Sequence, residues 1–493
     1  MKIVIGYPPL SSREEIPQLS QNRQFQWTKG GLISYFIYPV IPAYAASLLK
    51  EKGYKVYWLD GLAEKMSYDD WEEELFRIQP DLIAIETKTP VVKYHWEIIN
   101  KLKKDFPQFK IVLMGDHVTA LPEESMENSL VDFVITGGDY DFSLWNIANH
   151  LSKKEKLESG VWYREKSKKI GKPEIKNTGK FELKHSLDEL PLIDRDLTKW
   201  QLYAYKNSNF YRAPGAYTMF GRDCWWGRCS FCSWTTLFPG KKFRAMSVKK
   251  AVAEVENLVE NYHVKEIMDD SGTFPVRDWL REFCQEIIKK GYHKKIRINC
   301  NMRFNSGLAE KDYLLMGRAG FRFILYGLES ASQETLKRLN KNLKIEQIEP
   351  ALRAAKKAKL WPHVTVMVGY PWEGEKEIAK TLGFTKRLFR KGLVDSMQAT
   401  IVIPYPGTPL FQECLRNSCL KTLDWNRYDM REPVMKAGVS DKKLLSVVRE
   451  FYSSSIWNKT FFINTLKQFR SLDGFKYVAF QGFKYLGKLL EFK

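Results

Sequence analysis

Short apolar runs recur through the first 150 residues, and between them apolar positions return with the spacing of a helix. Apolar runs that do not alternate with polar residues are typical of parallel strands covered by helices on both faces. The predicted strands are 2–5, 54–59, 82–85, 110–114 and 133–135. With helical stretches such as 96–104 between them, they predict a doubly wound, Rossmann-like α/β domain of five strands over residues 1–150.

A second series of apolar runs and helical stretches begins near residue 217. The predicted strands are 217–221, 265–270, 296–301, 322–327, 363–369 and 397–403. Because strand–helix–strand connections are right-handed, six such units predict a partial (β/α)6 barrel over residues 206–425. The lysine-rich, weakly periodic residues 151–205 are expected to form a linker, and residues 426–493 a helical C-terminal region.

One uncharged segment, from Gly30 to Leu49, is long enough to cross a membrane. Pro39 and Pro42 interrupt it, and its second half runs directly into the charged residues that start at Lys50. This pattern favours a buried helix leading into a strand over a membrane span.

The net charge of +20 calls for a polyanionic partner, an anionic membrane surface or anionic cofactors and substrates. No zinc-finger, RNA-recognition or helix-turn-helix signature accompanies it, so nucleic acid is disfavoured. The last residues, 474–493, mix lysines with aromatic residues and contain no acid before Glu491. They predict contact with a membrane interface, whereas 440–470 predict a helical cap on the barrel.

The strongest chemical signal is a loop with three cysteines, Cys224, Cys229 and Cys232, directly after the first barrel strand. Three is an odd number and no secretory signal is evident, which favours metal binding over disulfides. Three thiolates can hold three irons of a [4Fe–4S] cluster and leave the fourth iron open. Zinc and inert thiols are the alternatives; zinc usually needs a fourth ligand nearby, and the next histidine is His263.

Small and polar residues repeat where the predicted strands end, which is where α/β folds bind ligands. Turn chemistry and helix capping are the alternative reasons for them. In the barrel they include Asp269, Asp270, Glu329, Ser330 and Gly369. In the first domain they are Thr87, Thr89, Gly115, Asp116, Gly137 and Gly138.

Several motifs together resemble the radical S-adenosylmethionine (SAM) superfamily, in its class with an N-terminal cobalamin-binding domain. The resemblance covers about residues 1–430. It rests on the cysteine loop with Phe231, on the Gly-x-Glu-Ser turn at 327–330 and on Gly369-Tyr-Pro. The segments 404–408 and 115–124 add to it.

The resemblance implies that Cys224, Cys229 and Cys232 bind a [4Fe–4S] cluster that cleaves SAM to a 5′-deoxyadenosyl radical. Cobalamin would then deliver a methyl group to an unactivated carbon. The implied SAM contacts are Phe231, Asp269, Asp270, Glu329, Ser330 and Gly369. The implied cobalamin contacts are Thr87, Thr89, Gly115, Asp116, Gly137 and Gly138. Two alternatives stay open: a radical cyclisation or rearrangement without methyl transfer, and a non-catalytic basic iron–sulfur protein that binds RNA.

Two departures from the family pattern matter. The cysteines are spaced x4 then x2 instead of x3 then x2, and the extra residue is expected around 225–227. The Asp-x-His-x-x-Gly signature for cobalt ligation is absent, because Leu62 stands where the histidine would follow Asp60. An open lower face of cobalt is therefore expected.

The resemblance also implies partners. An electron donor such as a flavodoxin or ferredoxin is expected, together with a small-molecule or lipid-like substrate. We also expect a cytoplasmic location, peripheral membrane contact through the C-terminal tail, and an anaerobic or microaerobic setting.

Overall fold

The computed structural model describes residues 1–10, 15–19, 24–29, 36–165, 173–205, 210–238, 242–456 and 472–491. They form two α/β units in sequence followed by C-terminal helices. This confirms the predicted fold class, which is a doubly wound domain followed by a partial barrel built on six parallel strands.

The N-terminal unit is built on one sheet with the strand order β4-β1-β5-β6-β7-β8-β9. Its strands, together with the separate β2–β3 hairpin, are β1 Lys2–Tyr7, β2 Glu15–Leu19, β3 Phe25–Lys29, β4 Lys55–Asp60, β5 Leu82–Glu86, β6 Lys110–Met114, β7 Phe133–Ile135, β8 Val161–Glu165 and β9 Glu174–Asn177. Its helices are α1 Val40–Glu51, α2 Tyr68–Ile78, α3 Val92–Asp105, α4 Asp116–Ala120, α5 Pro122–Asn128 and α6 Tyr140–Lys153.

The first five strands of this sheet are parallel, and all five predicted strands are present. From β1 the chain first adds β4 on one side of the sheet and then adds β5, β6 and β7 on the other side. The switch point between β1 and β5 opens a ligand crevice beyond the strand ends. Helix α1 is buried along nearly its whole length, as predicted for the uncharged segment.

The sheet continues beyond the five predicted strands with β8 and β9, which pair antiparallel with their neighbours. Both come from the segment predicted to be a linker. Their residues are mostly half-exposed and mixed with charged ones, and only β9 lies at the edge of the sheet, so neither strand has the apolar run that marks a buried strand.

The barrel sheet has the order β10-β13-β14-β15-β16-β17, and its paired strands are parallel. The strands, including the short β11–β12 pair, are β10 Gly215–Thr218, β11 Gly221–Arg222, β12 Arg244–Ala245, β13 Glu266–Asp269, β14 Arg297–Met302, β15 Phe321–Glu329, β16 Trp361–Val368 and β17 Ser396–Ile401. The helices are α7 Gln201–Ala204, α8 Trp234–Leu237, α9 Val248–Glu260, α10 Asp278–Lys289, α11 Tyr292–Lys295, α12 Glu310–Arg318, α13 Gln333–Arg338, α14 Ile348–Lys357, α15 Glu375–Arg390 and α16 Pro409–Arg416. The six predicted barrel strands are confirmed.

Two C-terminal helices complete the described chain: α17 Asp441–Ile456 and α18 Leu472–Glu491. Helix α17 packs on the last barrel strand, where the Tyr452 hydroxyl donates to the Ala399 carbonyl at 2.9 Å. The prediction of a helical cap therefore holds for 441–456, whereas 457–471 lie outside the described residues. Within the described chain, none of the helices combines the length and apolarity that a bilayer crossing requires.

Candidate active site

The three-cysteine loop leaves the carboxyl end of β10 and is fixed by backbone hydrogen bonds from two other parts of the barrel. The Ser230 N–H donates to the Leu339 carbonyl at 3.0 Å, and the Leu410 N–H donates to the Ser230 carbonyl at 2.8 Å. At the start of the loop, the Gly221 N–H donates to Ser271 Oγ at 2.8 Å. The loop is thus held by the segments that follow β13, β15 and β17, at the end of the barrel where barrel enzymes carry their chemistry.

The three thiols lie close enough for their charges to influence one another. Burial raises the pKa of Cys232 well above its ordinary value, and the neighbouring thiols Cys229 and Cys224 raise it further. Burial likewise raises the pKa of Cys229, which Lys341 and Arg303 partly oppose. Without a metal these thiols are therefore protonated, and a metal that binds here displaces their protons.

The donor set fits a cluster. In the described chain, no three His, Cys, Asp or Glu side chains gather as ligands of a single metal ion would. Thiolates that each bind a different iron of a cubane need not meet at one point, so three sulfur donors on one loop suit a [4Fe–4S] cluster.

Residues 225–227, where the extra residue of the loop was expected, form a turn with two tryptophan side chains. Gly227 has a φ of 54°, which permits the tight turn between the first two cysteines. The Arg303 guanidinium lies 5.3 Å from the ring centroid of Trp225 and 5.5 Å from that of Trp226. Its Nη1 lies 3.6 Å from Cys229 Sγ, so this arginine lies beside one of the thiols that would bind the cluster.

Of the predicted SAM contacts, Phe231 is part of the cysteine loop, and Glu329 lies close to it through Lys341. Glu329 is buried, with a φ of 63°, and its Oε1 lies 2.8 Å from Lys341 Nζ. The same ammonium lies 5.9 Å from the ring centroid of Phe231. Nearby, the buried hydroxyl of Tyr370 has no hydrogen-bond partner among the described residues, as expected where a polar ligand is to be bound.

Other predicted SAM contacts are engaged within the protein. The Ser330 hydroxyl is fully buried and donates to Glu373 at 2.8 Å. Asp269 is also fully buried, and its Oδ2 accepts the Phe220 N–H at 2.7 Å. Burial raises the pKa of this carboxyl to about 6. These two side chains hold strand ends in place. Their position in the sequence, at the end of a strand, does not show whether a side chain has this role or binds a ligand.

The remaining two predicted SAM contacts, Asp270 and Gly369, also end barrel strands. Asp270 is 5% exposed, and its N–H donates to the Thr218 carbonyl at 2.8 Å. Gly369 has a φ of 98°, and helix α17 lies beneath it through Leu444. Thr408, also at a strand end, caps α16 by accepting the Phe411 N–H at 3.2 Å.

The predicted cobalamin contacts line the carboxyl edge of the N-terminal sheet. Gly115 has a φ of 137°, and a Cβ atom there would lie 2.0 Å from the Thr87 carbonyl oxygen, so only glycine fits. The Thr87 hydroxyl is buried without a hydrogen-bond partner among the described residues. Thr89 Oγ1 is 3.2 Å from His117 Nδ1, whose other ring nitrogen is 3.1 Å from Glu124. His117 is therefore held within the protein as a structural residue.

Sequence reasoning missed a buried charged network at the switch point of this sheet. Lys88 Nζ lies 3.0 Å from Glu86 and 4.0 Å from Asp116, and all three side chains are less than 10% exposed. The hydroxyl of Tyr7, at the end of β1, donates to Glu86, and Gln24 donates to Asp116. The sequence signal that could have revealed this network is the polar run 86–89, which follows a buried strand.

The two units meet through ion pairs that sequence reasoning also missed. Arg222 Nη1 lies 2.9 Å from both Asp139 and Asp141, and Arg244 Nη2 lies 2.7 Å from Asp139. Opposing charges hold the Arg222 side chain just before the first cysteine, and Asp139 follows the predicted contacts Gly137 and Gly138. The cysteine loop is thereby tied to the carboxyl edge of the N-terminal sheet.

A narrow crevice of about 20 Å³ separates these two edges. Glu86, Lys88 and Asp116 line it from one side, and Met219 and Trp234 line it from the other. The unpartnered Thr87 hydroxyl and the glycines at the strand ends fit a large polar ligand such as a corrin. The Phe238 ring now lies over Gly138, where a Cβ atom would be 2.4 Å from it. A corrin is far larger than this crevice, so its binding requires the 234–238 segment to move.

Comparison with known families agrees with this arrangement. The Radical SAM superfamily model matches residues 218–385, and the B12 binding domain model matches residues 32–141. The chain therefore contains a radical SAM domain and a B12-binding domain, in the combination expected from the cysteine loop and the N-terminal sheet. It is an enzyme, which removes the non-catalytic RNA-binding alternative. Its cofactors are a [4Fe–4S] cluster, SAM and cobalamin.

Relatives of this radical SAM enzyme differ in their reactions. An uncharacterized methyltransferase of Pyrococcus horikoshii is 29% identical over 84% of this chain and 87% of its own length. The anaerobic magnesium-protoporphyrin IX monomethyl ester cyclase of Cereibacter sphaeroides is 26% identical over 86% of this chain and 68% of its own length.

Solved structures share the fold. The cobalamin-dependent SAM radical enzyme OxsB, solved with aqua-cobalamin and SAM, has a TM-score of 0.69 and 16% identity, covering 99% of this chain and 72% of OxsB. The radical SAM methyltransferase TsrM of Kitasatospora setae, solved with cobalamin and a [4Fe–4S] cluster, has a TM-score of 0.63 and 15% identity, covering 84% of this chain and 78% of TsrM.

Proposed function

We propose that this enzyme transfers a methyl group to an unactivated carbon of a small-molecule or lipid-like substrate. The observation that supports the proposal most directly is the apposition of the cysteine loop and the carboxyl edge of the B12-binding domain. Arg222 and Arg244 fix that apposition through Asp139 and Asp141. A substrate in the crevice between the two edges would face both cofactor sites.

The bound cofactors would supply the hydrogen-abstracting radical and the methyl group. The protein's own residues then bind, orient and exclude water. Lys341 and Arg303 place positive charge beside Cys229 and thereby favour an anionic cluster. Met219 and Trp234 close the crevice on the barrel side with apolar surface, which keeps water from a reactive radical.

An electron must reach the cluster, and we propose a flavodoxin or ferredoxin as its source. The net charge of +20 favours an acidic protein partner by electrostatic attraction. We also propose a cytoplasmic enzyme in an anaerobic or microaerobic setting, with α18 in peripheral contact with a membrane. Exposed Phe475 and Lys476 on that helix support such a contact.

Anaerobic reconstitution tests the proposal. After loading with iron, sulfide and cobalamin, the enzyme should convert SAM to 5′-deoxyadenosine, and with its substrate it should also release S-adenosylhomocysteine. Cys224→Ala, Cys229→Ala and Cys232→Ala should each abolish 5′-deoxyadenosine formation, whereas Cys419→Ala, outside the loop, should retain it. Activity that survives in any of the three variants would refute the cluster assignment.

A radical cyclisation without methyl transfer is the second candidate, and the similarity to the cyclase of Cereibacter sphaeroides favours it. The two candidates differ in the fate of SAM. Incubation of an extract from a gene-deletion strain with the reconstituted enzyme and methyl-labelled SAM separates them. Label in a product, with S-adenosylhomocysteine, supports methylation; 5′-deoxyadenosine with an unlabelled product supports cyclisation.

A further inference from the structure

The opposite end of the barrel, away from the cysteine loop, carries a second cavity of about 610 Å³. Its walls come from the starts of β14, β15 and β16 and from the ends of α12 and α14. A cavity of this volume is in the range of pockets that hold small organic ligands. Six cationic side chains and no acidic side chain line it. The cations are Arg212, Arg297, Arg318, Arg322, Lys357 and Lys359.

Most of this positive charge is not neutralised by the protein. Glu266 pairs with Arg322, its Oε1 lying 2.9 Å from Nε. The same carboxylate also accepts the N–H groups of Tyr211 at 2.9 Å and Arg212 at 2.7 Å, so its capacity is used. Among the described residues, the side chains of four lining cations form no ion pair. They are Arg212, Arg297, Arg318 and Lys359.

Helix ends explain only part of the cluster. Arg318 and Lys357 lie in the last turns of α12 and α14, where a cation is favoured by the helix dipole. Arg212 and Arg297 lie instead at the strands. Burial and the nearby guanidinium groups of Arg212 and Arg322 lower the pKa of Arg297, against the opposing effect of Glu266. Cationic side chains that lie close together despite their mutual repulsion are typical of a site that binds an anion.

The cavity also offers an imidazole and aromatic surface. His293, whose carbonyl accepts a hydrogen bond from Arg297 at 3.1 Å, lines it. Tyr211 and Trp361 form an apolar wall, with ring centroids 5.3 Å apart. Phosphate oxygens accept hydrogen bonds from guanidinium and imidazole N–H groups, and an organic portion would pack on the two rings.

We propose that this cavity binds a phosphate ester or diphosphate through Arg212 and Arg297, with the organic part of the ligand against Tyr211 and Trp361. The phosphate group belongs either to a free small molecule or to the headgroup of an anionic lipid. Helix α18 borders the site, because Tyr477 lies 5.4 Å from Tyr211 between ring centroids. The site is remote from the cysteine loop, so the proposal does not depend on methyl transfer.

Two binding measurements on the full-length holoenzyme test it. One titrates inorganic pyrophosphate by calorimetry, and the other floats the enzyme with phosphatidylglycerol or phosphatidylcholine vesicles. Arg212→Gln/Arg297→Gln should weaken binding at least tenfold. Lys104→Gln/Lys153→Gln removes the same charge from the exposed surface of the N-terminal domain and should leave binding within about twofold.

Each outcome bears on the proposal. Pyrophosphate binding that depends on the two arginines supports a free phosphate ligand, and arginine-dependent flotation with phosphatidylglycerol alone supports a lipid headgroup. Equal losses in the two double variants would overturn the proposal, because they would show general charge attraction. Absence of both pyrophosphate and vesicle binding in the wild-type enzyme would also overturn it. Thermal unfolding and 5′-deoxyadenosine formation verify that the arginine variant is folded; if it is not, single Arg212→Lys replaces it and should retain partial binding.

Discussion

Arg222 of the barrel and Asp141 of the B12-binding domain form a buried ion pair across the interface of the two domains. Nη1 of Arg222 lies 2.9 Å from Oδ1 of Asp141, and both side chains are at most 1% exposed. Because Arg222 stands two residues before Cys224, the pair joins the start of the cluster loop to the neighbouring domain. Together with the pairs that Arg222 and Arg244 form with Asp139, it fixes the position of one cofactor site relative to the other.

Replacing Arg222 with Met should destabilise the protein by about 3–5 kcal/mol, because the buried carboxylate of Asp141 is left without its counter-charge. The midpoint of urea unfolding measures the change. Adding Asp141→Asn to Arg222→Met removes that charge and should recover part of the loss. The matched control is Arg77→Met, which breaks the exposed Arg77–Glu74 pair and should leave the midpoint unchanged. Equal effects of Arg222→Met and Arg77→Met would contradict a stabilising role of the Arg222–Asp141 ion pair.

Arg303→Met should make the cluster harder to reduce. Its guanidinium nitrogen lies 3.6 Å from Cys229 Sγ, and hydrogen bonds and positive charge near cluster sulfurs raise the reduction potential. We expect 5′-deoxyadenosine formation to slow about tenfold or more at a fixed reductant, since a charged hydrogen bond is worth about 1.5–3 kcal/mol. Arg303→Lys keeps the charge and should lose less.

A potentiometric titration of the cluster checks this prediction, because a merely structural loss would lower cluster content without shifting its potential. Arg416→Met, on the exposed end of α16, is the control. An unchanged potential in Arg303→Met with full cluster content would contradict the assigned role.

Local patterns predicted much of this molecule. The buried parallel strands were visible because their apolar runs lack alternation, and the cysteine loop was visible because its ligands lie within nine residues. Residues 151–205 were predicted to be a linker in which a hairpin was an option, and the positions of β8 and β9 could not be given because half-exposed strands resemble a linker in composition.

The site residues show where local patterns lose information. Arg222 and Asp141 are 81 residues apart, and Arg303 and Cys229 are 74 residues apart, so only the folded chain brings each pair together. Strand-end position did mark Ser330, but it could not show that its hydroxyl is bonded to Glu373. The SAM and cobalamin contacts therefore stay predictions, to be tested residue by residue.

Asp60 should give the protein a pH-dependent stability. Burial raises the pKa of this carboxyl from 3.8 to about 6, against hydrogen bonds from Tyr203, Ala63 and Leu62. A raised pKa means that the folded state holds the proton more tightly than the unfolded state. The stabilising contribution is thus complete below pH 3.8 and is lost as pH rises to about 6, a change of about 3 kcal/mol.

Urea unfolding of wild type and Asp60→Asn at pH values from 4 to 7 measures that contribution. Asparagine keeps the acceptor oxygen for the turn but does not ionise, so wild type should lose stability relative to the variant as pH rises. Asp69→Asn, on the exposed start of α2, is the control and should run parallel to wild type. Parallel curves for Asp60→Asn would show that this carboxyl is not responsible.

Phe238→Ala should strengthen cobalamin binding. The Phe238 ring is 2% exposed and lies over Gly138, at the edge where the B12-binding domain would take its ligand. Displacing a buried phenylalanine costs about 1.5–3 kcal/mol, so removing the ring should tighten the apparent Kd about tenfold or more. The spectral change of cobalamin on titration with the cluster-loaded enzyme measures it. Phe384→Ala, a buried phenylalanine of α15 away from this edge, controls for general loosening of the fold. Weaker binding in Phe238→Ala would mean that the ring contacts the bound corrin and does not cover its site.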